Sequence, residues 1–244
     1  MENQVNTPAF NDEIVIQRNY YMATASSYDQ SHLHEKDEHY FALFILESLL
    51  RFHDMRSVLD IGAGTGRVAR FLKERMPGVK VVSVEPVDAL RQIGYHNGLS
   101  KDELIEGDVN ELQFRRGEFD LVCEFGVLHH VKNPHKAVDE MLRVARRGVF
   151  LSDSNNFGQG SRVSRAIKQM IKTIGLWGIA DFVKTGGKGY TISEGDGLAY
   201  SYSVFNNFRQ ISRACDIYTF NTRPAGMNPY RTASHVALLG VKRS

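Results

Sequence analysis

SVLDIGAGTG, residues 57–66, decides the fold. Ser57–Ile61 reads as a β-strand, and residues 67–76 read as a helix stopped by Pro77 and Gly78. The glycines at 62, 64 and 66 therefore sit in a turn between a strand end and a helix start. Glycine there accepts positive φ and lets a ligand approach the main chain closely. A dinucleotide loop wants a further glycine three residues after its second one, and that position is Arg67. Asp60 discriminates in the same direction, because a carboxylate repels a pyrophosphate and suits a cationic ligand carrying an amino group.

Outward from this loop, short apolar runs alternate with helical stretches. Residues 79–84 predict a second strand and 88–95 its helix, 103–105 a short third strand, and 119–124 a fourth. Residues 133–147 predict the clearest helix, with Asn133 as cap, Pro134 in the first turn, Arg146 and Arg147 in the last turn and Gly148 ending it. Residues 149–152 give a fifth strand. Such βα alternation predicts a parallel sheet. Residues 154–200 break it with a helical stretch and glycine-rich loops, and no strand is expected there. A last helix near 203–214 precedes the runs 217–222 and 235–241, which have no helix between them and should pair antiparallel. The expected architecture is α/β: a doubly wound, seven-stranded, mostly parallel sheet with an antiparallel last strand.

Bulk composition narrows the partners. Thirty Lys and Arg against 28 Asp and Glu give a net charge of +2, which provides no general attraction for nucleic acid. Hydrophobic and charged contents of 42% and 24% are those of a globular domain. The first thirty residues lack the apolar core of a secretory signal, and no apolar run approaches the about 20 residues of a membrane span. Cys123 and Cys215 are too few for a disulfide framework or a zinc site, and a reducing cytoplasm is the expected address.

Two carboxylates extend the ligand argument. Glu85 ends the second strand, close to the ~20-residue offset at which an acid accepts from ribose hydroxyls. Asp108, in Gly107-Asp108-Val109 after the third strand, can accept from an adenine amino group. Together with Asp60-x-Gly62-x-Gly64-x-Gly66, 119–122 (FDLV) and 126–131 (GVLHHV), they resemble the class I S-adenosylmethionine-dependent methyltransferases, in particular the small-molecule, type 11-like branch. The resemblance covers roughly residues 20–153 and the closing strand pair. It implies that Asp60, Gly62, Ala63 and Gly64 hold the methionine part of S-adenosylmethionine, Glu85 with Pro86 beside it the ribose, and Asp108 and Val109 the adenine. Glu124, Phe125 and Gly126 would lie beside the sulfonium. Tyr21 and Tyr28 would belong to a helical lid, and S-adenosylhomocysteine would be the product. The segments implied are a lid over 1–50, a cofactor-binding core over 51–153, an acceptor-facing insertion over 154–202, and a closing helix and hairpin over 203–244.

Methyl transfer from a sulfonium is an in-line displacement, so the protein contributes orientation, exclusion of water and sometimes a base. His129, His130 and Asp153 are the candidates, since they follow the fourth and fifth strands and histidine titrates in the right range. Paired histidines that merely line the cofactor pocket are the competing reading. His32, His34 and His39, with Glu35, Asp37 and Glu38, form a mixed run of the kind usually found on a solvated helix surface, and no metal is expected. Asn155, Tyr190, Glu194, Tyr200 and Tyr202 are candidates for a sugar or other polyhydroxyl acceptor, and the insertion loosely resembles those of methyltransferases from bacterial surface-polysaccharide pathways. Over 161–177, basic residues at 162, 165, 168 and 172 fall opposite an apolar set. A cap helix with its basic face in water is expected, with contact to an anionic membrane surface as the alternative. The expected activity is O-methylation of a small molecule or glycan; RNA or protein methylation, or cofactor binding without turnover, are the other readings.

Overall fold

A computed structural model of the chain describes residues 12–32 and 37–243. Helices α1 (Asp12–Thr24), α2 (Tyr28–His32) and α3 (Glu38–Phe52) precede β1 (Ser57–Ile61). Three helices and four strands follow: α4 (Arg67–Arg75), β2 (Lys80–Val84), α5 (Asp88–His96), β3 (Leu104–Ile105), β4 (Phe119–Phe125), α6 (Pro134–Val144) and β5 (Ala145–Ser154). Beyond them lie α7 (Arg162–Thr173), α8 (Trp177–Lys184), β6 (Tyr190–Ser193), β7 (Gly197–Tyr200), α9 (Phe208–Ser212), β8 (Cys215–Asn221), α10 (Pro229–Thr232) and β9 (His235–Lys242).

Seven strands form one sheet in the order β3-β2-β1-β4-β5-β9-β8. β1 pairs parallel with β2 and β4, and β4 with β5, while β9 runs antiparallel to both β5 and β8. The expected doubly wound sheet with its reversed last strand is thus the observed one. Alternation along the strands sends Leu59, Ile61, Val122 and Val149 to one face, against α6 and Ile211. It sends Val58, Leu121, Cys123 and Phe150 to the other, against α3 and α4. Both faces are covered, so every residue of β4 is buried. Order reverses between β1 and β4, and the carboxyl ends of these strands open the crevice in which ligands of such sheets bind.

Three expectations are corrected. α6 stops at Val144, and Ala145 is already extended, so Arg146, Arg147 and Gly148 belong to β5 rather than to a helix end. Two contacts hold them there: the Arg146 guanidinium binds Asp120, and Gly148 lies so close to β9 that a Cβ would sit 2.7 Å from the Gly240 carbonyl oxygen. Residues 190–200, expected to be loop, form the β6–β7 hairpin, turned at Gly197 with φ +67°. The helix over 161–177 is α7, but only Arg162 and Lys172 of its basic residues are exposed, and its apolar face is turned outward. Arg165 and Lys168 are half-buried and donate to carbonyls of the body, whereas Val163, Ile167, Met170 and Ile174 face outward. Among the described residues no helix is long and apolar enough to cross a membrane.

Candidate functional site

The glycine loop lies on top of β1, tied to the neighbouring strand by Ala63 N–H donating to the Val84 carbonyl (3.0 Å). Gly62 and Gly64 have φ of +64° and +57°. A Cβ on Gly62 would press into Val127, and one on Gly64 would lie 2.6 Å from the Tyr28 hydroxyl. Only glycine therefore gives this turn and the close roof above it. Glu85 ends β2 beneath the same loop. Its carboxylate accepts from Gly64 N–H and from Val87 N–H, each at 2.9 Å. Burial pushes the Glu85 carboxyl up to about 7, against the pull of those two N–H groups.

These residues line a first cavity of about 530 Å³, bounded by Gly62, Gly64, Glu85, Pro86, Asp108 and Val109 on the sheet side. Phe125 and Gly126 line it at the end of β4, and Tyr21 and Tyr28 from the N-terminal helices. The Asp108 carboxylate is bonded to Asn110 and reached by Arg18 at 3.5 Å. Three residues assigned to this lining from sequence lie elsewhere. Asp60 is buried below the loop, 3.4 Å from Ser83 Oγ and 3.9 Å from Cys123 Sγ, and burial raises it to about 7. Ala63 points into a small apolar cluster with Leu99 and Leu104. Glu124 is fully buried and accepts from Val127 N–H and Ser152 N–H, so it shapes the turn after β4 from behind.

A second cavity of about 540 Å³ opens on the other side of the strand ends. His129 and Asp153 line it with a polar set that includes Ser154, Gln159, Thr191, Ser201 and Arg223. His130 lines the first cavity, its ring 3.9 Å from that of His129, and Tyr200 lines both. The two imidazoles thus form a wall between the cavities. Each is fixed through Nδ1: His129 to the Asp153 carboxylate at 2.6 Å, His130 to the Leu198 carbonyl at 2.6 Å. Asp196, from the turn of the β6–β7 hairpin, meets both Nε2 atoms, at 3.2 and 3.4 Å. Burial disfavours the charged form of His129, but the Asp153 and Asp196 carboxylates overcome it and raise its pKa well above the ordinary value. His130 is lowered by burial and by the neighbouring His129 charge. Asp153 stays ionised despite burial because it faces that charge.

Two further histidines, not expected at the site from sequence, stand beside this wall. His39 and His235 pack edge to face at 4.6 Å and line the second cavity. Burial lowers His235 to about 4 and takes His39 well below the ordinary value. Gly126 leaves room for His39 and His129, since a Cβ there would touch them at 3.1 and 3.7 Å. The run containing His39 is not the solvated surface its mixed composition predicts. Instead Asp37 caps α3 and faces Arg67, and Glu38 binds Arg223. His34 and Glu35 lie outside the described residues.

The acceptor candidates divide. Tyr200 lines both cavities, its hydroxyl donating to Glu13, and Tyr202 lines the second, its buried hydroxyl donating to Asn207. Asn155 is fully buried, donating to the carbonyls of Pro229, Tyr230 and Ala233 and accepting from Ser203, so it is a structural clamp rather than an acceptor contact. Tyr190 packs on Tyr200, and Glu194 offers its backbone carbonyl to Tyr20; neither lines either of these two cavities.

Residues 59–152 match the model of a methyltransferase domain family. Norajmaline N-methyltransferase of Rauvolfia serpentina is 33% identical over 98 residues, 38% of this chain and 33% of that protein. A demethylmenaquinone methyltransferase of Thermus thermophilus is 30% identical over 96 residues, 38% of this chain and 44% of that protein. The chain therefore spans well under half the length of these curated relatives. A SAM-dependent methyltransferase structure from Thermotoga maritima superimposes with a TM-score of 0.59 at 17% identity, covering 92% of this chain and 99% of that one. The match extends the shared fold well beyond the domain.

Proposed function

We propose that this chain is an S-adenosylmethionine-dependent methyltransferase that methylates a hydroxyl group of a small-molecule or glycan acceptor. The match of residues 59–152 to a methyltransferase domain family and the fold shared with a SAM-dependent methyltransferase structure support this reading. The observation that carries this reading is the His129–Asp153 pair in the wall between two cavities, because hydroxyl acceptors need a base and neutral amines need less help. Polar lining of the second cavity by serine, threonine, glutamine and arginine side chains favours a polyhydroxylated acceptor.

The first cavity suits the cofactor chemically. Its buried carboxylate, Glu85, keeps lone pairs for ribose hydroxyls, and Pro86, Val87, Leu90 and Val109 offer apolar walls to an adenine. Gly62 and Gly64, under Tyr21 and Tyr28, receive the methionine end, and Asp60 adds negative charge from beneath the loop. When bound, S-adenosylmethionine supplies an electrophilic methyl group. The protein's own work is positional and protonic. Asp153 fixes the His129 tautomer and keeps its proton affinity high. In the neutral imidazole Nδ1–H donates to Asp153 and Nε2 holds the lone pair. An acceptor hydroxyl that replaces Asp196 at Nε2 gives its proton there as its oxygen takes the methyl group, and the imidazolium then returns that proton to solvent. Phe125, Gly126 and the Tyr21 ring exclude water on the other side of the wall.

A His129→Gln variant is expected to lose roughly 10²- to 10⁴-fold in kcat with cofactor affinity within about twofold of the parent. Formation of S-adenosylhomocysteine against a panel of sugars, phenols and amines measures it; an undiminished rate would remove His129 from the chemistry. The sign of the pH effect follows from the raised pKa. The base must be unprotonated, so activity falls as pH drops, with a midpoint above the ordinary histidine value. Asp196→Asn should move that limb to lower pH.

A further inference from the structure

We propose that α7 and α8 seat this protein on an anionic membrane surface, so that the second cavity meets amphiphilic acceptors whose polar head enters it while their apolar chain stays in the bilayer. The docking surface stands on its own geometry; the nature of the acceptor rests on the proposed methyl transfer.

Neither helix contributes a buried residue to the fold. On α7, Val163, Ile167, Met170 and Ile174 recur at spacings of three and four and face outward together. On α8, Ile179, Phe182 and Val183 do the same, and these seven side chains are 48–73% exposed. Two successive helices exposing this many large apolar side chains are rare on a monomer in water and mark a contact with something else. The orientation is built in. Rolling α7 to bury its apolar side would break the bonds of Lys168 to the Asn156 and Gln159 carbonyls and of Arg165 to Thr232, and would lift Lys172 from the Phe157 ring.

Charge selects the occupant. Residues 157–193 hold six Lys and Arg against the single Asp181, whose carboxylate is bonded to Ser201. Arg162, Lys184 and Lys188 are exposed around the apolar face. A twofold pairing of two copies through this face would oppose two strongly positive surfaces, whereas anionic lipid headgroups neutralise them. The face is also continuous with the second cavity. Lys184, the last residue of α8, lines that cavity, as do Asn156 and Gln159, whose carbonyls receive Lys168.

The test is sedimentation of the full chain with vesicles of phosphatidylcholine containing roughly a quarter phosphatidylglycerol, against phosphatidylcholine alone, at low and near-physiological salt. The chain should pellet with the anionic vesicles, and the double variant Ile167→Glu, Phe182→Glu should bind them at least about tenfold more weakly. Trp177, the single tryptophan, should be quenched by brominated acyl chains in the parent only. Absence of pelleting at low salt would overturn the proposal. So would pelleting that the double variant leaves unchanged, or a parent that sediments as a dimer which the variant dissociates. Both positions are exposed and outside the first cavity, so the variant should keep the parent's S-adenosylmethionine affinity by calorimetry. A parent that binds vesicles but no cofactor would retain the docking surface and sink the methyltransferase reading.

Discussion

Asp60 and Glu85 are buried acids one strand apart, each held at about 7 by loss of hydration. A cationic ligand, and ribose hydroxyls donating to Glu85, favour their ionised forms. Cofactor binding should therefore release protons near neutrality, and affinity should climb between about pH 6 and about pH 8 before levelling. Calorimetry at pH 7 in phosphate and in Tris checks this, because proton release makes the apparent enthalpy depend on the buffer; equal enthalpies would refute it. Glu85→Gln should weaken binding by roughly 10- to 100-fold, as one or two charge-assisted hydrogen bonds become neutral or are lost. At this scale, the residues legible in the sequence were those fixed by backbone geometry: the glycines, and the acids at strand ends. His39 and His235 were not legible because they come from opposite ends of the chain and meet only through packing of α3 against β9. Glu124 and Asn155 sit at the right places in the sequence, but their side chains turn inward to satisfy backbone groups, a choice that no spacing reveals.

Asn155 shows what such an inward turn does for the elements around it. Its amide ties the end of β5 to three carbonyls of the segment 229–233 leading into β9, and Ser203 completes the set from the approach to α9. Asn155→Ala removes this donor from the Tyr230 and Ala233 carbonyls, while the Pro229 carbonyl keeps the Ala233 N–H, and should cost roughly 2–3 kcal/mol, a fall in Tm of about 5–10 °C, with cofactor affinity unchanged. Thermal melting with acceptor-saturation kinetics decides it; a variant as stable as the parent whose KM for the acceptor rises would restore Asn155 to the acceptor site. Elements with a strong period were readable, and β1, β2, β4 and α4 fall within a residue or so of expectation. The end of α6 was not, because a basic pair followed by glycine is a local stop signal, while Asp120 and the close approach of β9 are long-range facts. The β6–β7 hairpin was hidden for a related reason: its strands have four residues each and only a partial apolar pattern. The Asp196-Gly197 pair at its turn was the available signal.

Over the whole molecule, the N-terminal helix and the insertion act as one cover although some 170 residues separate them. Gln17 accepts from Leu198 N–H at 2.5 Å and donates to the Asp196 carbonyl, while Tyr20 reaches the Glu194 carbonyl and Glu13 receives Tyr200. Bound S-adenosylhomocysteine should slow amide exchange over 12–32 and 190–200 together, and Gln17→Ala should speed both. Hydrogen exchange read by mass spectrometry tests this, and protection confined to one segment would show that the cover is not a unit. The strand order carries a separate consequence for how the molecule is made. β9, drawn from residues 235–242, lies between β5 and β8, so residues 148–154 have no partner on that side until it is in place. During synthesis the growing chain must hold Val149, Phe150 and Leu151 on an open sheet edge while more than eighty further residues emerge from the ribosome. Nascent chains that stall in that interval expose the stretch most prone to clump, and there a chaperone has the most to protect.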